Sequence, residues 1–207
     1  MQKLTRELWA QQDRHEGDRL RLFTAVDQAI EAERVLYPGA FVDIAPSFVW
    51  PDVTYNDMDE RAPRFFADEG GIAEILEANG VDPAERTIRF LPGDYRELDV
   101  PSESVDLLIS LYAGFISEAC GHTVREGGWL LVNPSHGDAA MASIDDRFEL
   151  VAVVESRAGE YRVRTAGLDG YLVAKKRVEL TPEYLHELGR GIAYTRAPFA
   201  YLFQRTD

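Results

Sequence analysis

The stretch VDLLISL, Val105 to Leu111, is apolar but for one acid and one serine, and it has no polar face at either helical or alternating spacing. A strand of that kind cannot leave one side in water. It needs cover on both faces, as the central strand of a parallel sheet has. Around it the chain alternates. Arg34 to Tyr37 is a first strand candidate, Val53 to Tyr55 a second, Thr87 to Leu91 a third, and WLLVN, ending at Asn133, a fifth. Helix-forming pieces lie between them: a short one that Asp43 would cap, then RAPRFFAD and GIAEILEANG, interrupted at Gly70-Gly71 and stopped at Gly80. Another runs from Phe115 to Val124 and leads through Gly127-Gly128 into the fifth strand. Strand and helix repeated from residue 34 to 133 predict right-handed crossovers and an α/β, doubly wound, mostly parallel sheet.

The flanks differ from this rhythm. Leu4 to Ile30 carries two helical patterns, expected to pack on the sheet edge or to cap the crevice at its strand ends. Beyond Asn133, DAAMASIDD predicts a short helix, FELVAVVES, YRVRT and GYLVAKKRV predict strands, Thr181-Pro182 opens a further helix, and FAYLFQR closes as a strand. Late strands without long crossovers predict antiparallel additions at the C-terminal edge of the sheet. With 207 residues and no obvious linker, the expectation is one domain over 1–207: a helical segment at 1–32, a core at 33–155, and strands with a helix at 156–207.

Composition excludes more than it selects. Cys120 is the only cysteine, so neither an intrachain disulfide nor a cysteine-based metal site can form within one chain. His15, His122 and His186 have no partners at metal-ligand spacing, and no metal is expected. The formal net charge of −14 repels phosphate backbones, with no dense basic run to oppose it, so nucleic acid is not an expected partner. No apolar run approaches the roughly 20 residues of a membrane span, and the polar N-terminus lacks a signal-peptide core. A cytoplasmic location is the expectation.

The segment RVLYPGAFVDIAPSFVWPDVTYNDMD, Arg34 to Asp59, is the first candidate for chemistry. Gly39 sits in a turn after one strand and Asp57 just past the end of the next. In an open α/β sheet both positions face the ligand crevice, where backbone passes close beneath a nucleoside and a carboxylate accepts from ribose hydroxyls. An ordinary turn and a solvated acid explain the same residues equally well.

Further residues bring a resemblance. IRFLPGDYRELDVPSESVDLLIS (Ile88 to Ser110) and FISEACGHTVREGGWLLVN (Phe115 to Asn133) resemble the third to fifth strands of the class I S-adenosylmethionine-dependent methyltransferases, and the resemblance extends over about residues 30 to 155. It implies a Rossmann-like methyltransferase fold, S-adenosylmethionine as cofactor, and a core at 33–155 that binds it. By that resemblance Tyr37 and Gly39 would lie at the methionine part, Asp57 at the ribose, Met58 against the adenine, and Gly93 and Asp94 at the adenine amino group. Leu111, Tyr112 and Ala113 would line the pocket near the transferred methyl. Where the family carries an acid followed by Gly-x-Gly-x-Gly, this chain has Tyr37 and Pro38, then only Gly39, with Phe41 and Val42 in the stretch that should be smallest. Asp106, entering the fourth strand, reads as a structural acid serving backbone amides.

Methyl transfer to oxygen or nitrogen needs at most one general base. Tyr112 and His136 are the candidates, the histidine because its loop follows the fifth strand and imidazole titrates near neutral pH; an exposed loop histidine is the plainer alternative. The leading expectation is thus a methyltransferase acting on a small-molecule or protein group. The alternative is a catalytically inactive binding or scaffold protein of the same fold that no longer binds the cofactor, favoured by the missing glycines. A nicotinamide dinucleotide enzyme, suggested by an acid 18 residues after Gly39, lacks the Gly-x-Gly-x-x-Gly fingerprint.

Overall fold

A computed structural model describes residues 1–206. Two helices, α1 (Lys3–Gln12) and α2 (Asp18–Asp27), precede the sheet; β1 (Arg34–Pro38) and β2 (Asp52–Asp57) follow, joined only by a short 3-10 turn at Ala45–Phe48. Helices α3 (Ala62–Phe66) and α4 (Glu69–Ala78) lead to β3 (Thr87–Pro92), and then come β4 (Val105–Ser110), α5 (Ile116–Cys120) and β5 (Val124–Val132). Helix α6 (Asp138–Ser143), the hairpin β6 (Phe148–Arg157) and β7 (Glu160–Arg164), α7 (Pro182–Leu188) and β8 (Ala200–Arg205) complete the chain.

The eight strands form one sheet in the order β3-β2-β1-β4-β5-β8-β6-β7. From β3 to β5 every pairing is parallel. Every residue of β4 is buried, as its apolar run requires. Its pleat divides the core. Leu107 and Ile109 join Val35, Tyr37, Val53 and Tyr55 under α1, α2 and α4, while Leu108 joins Leu36, Leu130 and Val132 under α5 and α6.

The antiparallel strands come from the C-terminal segment, in an arrangement set by tertiary contacts. β8 inserts between β5 and β6 and is antiparallel to both, so β6 runs in the direction of β5, and β7 forms the outer edge. GYLVAKKRV does not form the expected strand. It makes only isolated bridges, Tyr171 with Arg196 and Ala174 with Tyr194, because β8 has already filled the sheet position beside β6. Gly127 and Gly128 lie inside β5, at the irregularity in its pairing with β4, so they are not a turn before it; a Cβ on Gly128 would meet the Arg125 carbonyl at 2.8 Å. The helix expected over Phe115 to Val124 shortens to Ile116–Cys120, since Val124 already pairs with Val105. The break between α3 and α4 falls at Asp68, which caps α4 through Gly71 N–H at 3.1 Å and leaves Gly70-Gly71 within the helix. Among the described residues no helix is long and apolar enough to cross a membrane.

Asp106 has the structural role that its position suggested. It accepts from the main-chain N–H groups of Glu33 (3.2 Å) and Arg34 (2.8 Å) and from the side chains of Arg34 (3.0 Å) and Arg125 (2.7 Å). The residue thereby ties the start of β1 to β4 and β5. Burial opposes its charge, but these donors prevail and hold its carboxyl well below the usual carboxylate range. A carboxyl depressed in the folded state stabilises above its unfolded value near 4 and loses that contribution as pH falls. Asp106→Asn should therefore destabilise the protein by about 2 kcal/mol at pH 7 in urea titrations, for two strong donors left short of an acceptor. The gap from wild type should narrow progressively as pH is lowered below about 4.

Candidate functional site

Strand order reverses between β1 and β4, and the loops leaving two such strands part to open a crevice beyond their carboxyl ends. Here the two loops stay close at their bases. Gly39 has φ 67, and a Cβ built on it would lie 2.1 Å from the Cβ of Ala113, so both conformation and approach demand glycine. Phe41, two residues on, takes φ 51, a left-handed backbone that a bulky residue keeps only under restraint. Its N–H donates to Asp57 Oδ2 at 2.7 Å, and the Arg61 guanidinium covers its ring at 4.7 Å.

Asp57 does more than end β2. Its Oδ1 accepts from Asp59 N–H at 2.7 Å, and its carbonyl accepts from Gly93 N–H at 3.0 Å. The loops after β1, β2 and β3 thus converge on one residue. Met58 beside it is 73% exposed. Gly93 opens the turn at φ 125, and Asp94 then starts a short 3-10 turn by accepting from Arg96 N–H at 3.0 Å. The Arg96 side chain also clasps both Asp94 oxygens, and this hydrogen bonding draws the Asp94 carboxyl down to about 2.

A second cluster lies on the other side of Phe41. Asp43, 1% exposed, accepts from Ala45 N–H at 3.3 Å in the manner of a cap, and Tyr37 Oη donates to its Oδ2 at 3.4 Å. Arg19 of α2 places Nε 3.4 Å from the same oxygen. Burial pushes the Asp43 carboxyl up to about 6 against the pull of Arg19. In front of this pair is a cavity of about 480 Å³, walled by the α1–α2 connection with His15, by Phe41 and Tyr112, and by Phe199 before β8.

Beyond β5, His136 is exposed, at φ 58, with Nδ1 2.6 Å from Ser135 Oγ. Asn133 Oδ1 accepts from Tyr112 N–H and Ser135 N–H, both at 3.3 Å, and so joins the loops after β4 and β5. Asp138 is buried at the start of α6, where the Ser110 hydroxyl, Ser117 N–H (3.1 Å) and Ser117 Oγ (2.5 Å) donate to it. Burial pushes its carboxyl up to about 6.

The candidates therefore fall into groups. Asp57, Met58, Gly93 and Asp94 meet at the ends of β2 and β3. Tyr37, Gly39, Leu111 and Tyr112 stand at the ends of β1 and β4, and of these Tyr112 lines the cavity, whereas His136 does not. Arg19 and His15 were not sequence candidates for this site, and Asp43 was expected only as a cap. Arg19 meets Asp43 across a helix and a loop, a pairing that no local periodicity announces.

No family model matches the chain, and no curated protein does. Solved structures do. TehB from Haemophilus influenzae is 13% identical over 89% of this chain and 61% of its own, with a TM-score of 0.50. Phosphoethanolamine N-methyltransferase 1 of Haemonchus contortus, solved with phosphoethanolamine and S-adenosylhomocysteine, is 14% identical over 94% of this chain and 43% of its own, also at 0.50. The chain spans about half the length of most of the solved structures it matches, 54% and 45% of two of them, though it covers 94% of another. The fold is that of the class I S-adenosylmethionine-dependent methyltransferases, a Rossmann-like α/β sheet.

Gly39→Ala is expected to cost at least about 2 kcal/mol, from left-handed strain plus the clash with Ala113. Gly80→Ala, at φ 76 with open space around it, should cost only about 1 kcal/mol; thermal melts compare the two. Asp43 and Asp138, with folded values raised to about 6, contribute stability that is complete below about 4 and is lost as pH rises through about 6. Urea midpoints should accordingly be higher at pH 5 than at pH 7.5, and Asp138→Asn should flatten that difference.

Proposed function

We propose that this chain is an S-adenosylmethionine-dependent methyltransferase acting on a small-molecule or protein group. One observation carries the reading: the Asp57 carboxylate is held at the end of β2 between Phe41 N–H and Asp59 N–H, with exposed Met58 beside it and the Gly93 turn docked on its carbonyl. Two bonds leave a carboxylate with further acceptor positions, which suit ribose hydroxyls, and the Met58 side chain offers an apolar surface for a purine. The nucleoside half of the cofactor fits the residues present. In this reading Asp57, Met58, Gly93 and Asp94 would hold the nucleoside, and Tyr37, Gly39 and Leu111 would border the amino-acid half. The bound group would supply an electrophilic methyl on sulfur. Tyr112 and His136 are the proposed proton acceptors, Tyr112 from the cavity wall and His136 through Nε2, since Nδ1 is engaged with Ser135.

A second reading, a non-catalytic member of the fold, is favoured by the loop after β1. Phe41 occupies a position where the family carries glycine, and its side chain fills space that a glycine would leave open. Asp94 is also clasped by Arg96.

Isothermal titration with S-adenosylmethionine and S-adenosylhomocysteine distinguishes the two. Micromolar binding, weakened at least about tenfold in Asp57→Asn, a loss of about 1.4 kcal/mol, is the expected result. Silence of the wild-type protein toward both ligands at millimolar concentration would sink the methyltransferase reading.

A further inference from the structure

Arg19 is held from one side only. Its Nε faces the buried Asp43 at 3.4 Å, the guanidinium carbon stands 5.5 Å from the centre of the Tyr112 ring, and its side chain, 22% exposed, lines the cavity of about 480 Å³. Among the described residues no acceptor bonds its two terminal amino groups, although a guanidinium carries five donors in a flat fork. Asp43 is itself fixed by Ala45 N–H and Tyr37 Oη, so the arginine is anchored at its stem and its fork is left for an occupant of the cavity.

The other acids on the wall are engaged elsewhere. Asp13 Oδ1 accepts from Gly17 N–H at 2.7 Å, and Asp18 accepts from Tyr161 Oη at 3.0 Å with Arg21 3.7 Å away. Their charge is matched by Arg14 and Arg19 on the same wall, so the cavity carries no excess positive charge for a dianion such as phosphate and suits a monoanion better. Phe41, Tyr112 and Phe199 supply flat apolar walls. A volume of this size suits a small ligand.

We infer that this cavity is a binding site for a small carboxylic acid with a flat apolar body, its carboxylate paired in bidentate fashion with the terminal amino groups of Arg19 and its body held among Phe41, Tyr112 and Phe199. The site stands on its own geometry. Only the further step, that such an acid is the methyl acceptor, rests on the function proposed above.

The probes are benzoate, benzamide, which has the same shape without the charge, L-methionine and inorganic phosphate, titrated into the full chain at neutral pH and read by calorimetry and ligand-observed NMR. Benzoate should bind at millimolar or tighter levels, with benzamide and phosphate at least about tenfold weaker. Arg19→Gln should weaken benzoate about tenfold or more, and Arg19→Lys should retain part of the binding. Because Arg19→Gln leaves Asp43 unpaired, the double variant Arg19→Gln with Asp43→Asn, checked for folding by circular dichroism, should lose benzoate equally. Equal binding of benzoate and benzamide, or no benzoate binding at tens of millimolar, overturns the site. Binding of L-methionine with none of benzoate also overturns it, since the fork would then serve an amino-acid carboxylate. Benzoate binding in a protein that ignores S-adenosylmethionine upholds the site while removing the methyltransferase reading; the converse upholds that reading and removes the site.

Discussion

The burial of β4 on both faces is the constraint from which the rest of the architecture follows. A strand with every residue inside, paired in parallel on either side, needs helices above and below and connections that cross from one end of the sheet to the other. The chain meets that need economically. Between β1 and β2, and again between β3 and β4, the crossing segments hold only 3-10 turns, so α1 and α2 from before the sheet provide much of the cover on one face. Because the same crossings reverse the strand order at β1 and β4, the covering of one strand also sets where the crevice lies.

Acidic side chains do much of the remaining joining. The chain is strongly acidic, yet Asp106, Asp57, Asp43 and Asp138 each face inward and gather donors from segments far apart in sequence. A carboxylate suits this task because it accepts several hydrogen bonds, and bonds to an ionised acceptor are stronger than neutral ones. Environment separates their charge states. Asp106 has two arginines and main-chain donors and stays ionised to low pH, while the more deeply buried Asp43 and Asp138 are pushed toward protonation. At Asp57 one set of bonds both holds Phe41 in its strained backbone and presents a carboxylate at the strand end. Fold maintenance and any ligand role there are carried by the same atoms.

Much of this was legible in the residues. The apolar runs at Val105 to Leu111 and WLLVN, the stop at Gly80 and the acid entering β4 are local signals, and periodicity or turn chemistry reads them directly. Gly127-Gly128 misled because a glycine pair marks a turn and a strand irregularity alike, and only the Arg125 carbonyl lying against Gly128 decides between them. GYLVAKKRV has a strand's composition, but pairing needs a free sheet edge, and β8 had taken it.

The sequence by itself determined the succession of the five parallel strands and the placing of Gly39, Asp57 and Gly93-Asp94 at strand ends, because hydrophobic period and glycine conformation act over a few residues. Tertiary structure alone decided the insertion of β8 between β5 and β6, the Ala113 contact that shuts the base of the crevice over Gly39, and the meeting of Arg19 with Asp43 beside the Tyr112 cavity. The physical reason is range. Each of these joins segments distant in the chain, and their partners are chosen by which surfaces remain to be buried once the central strands have paired.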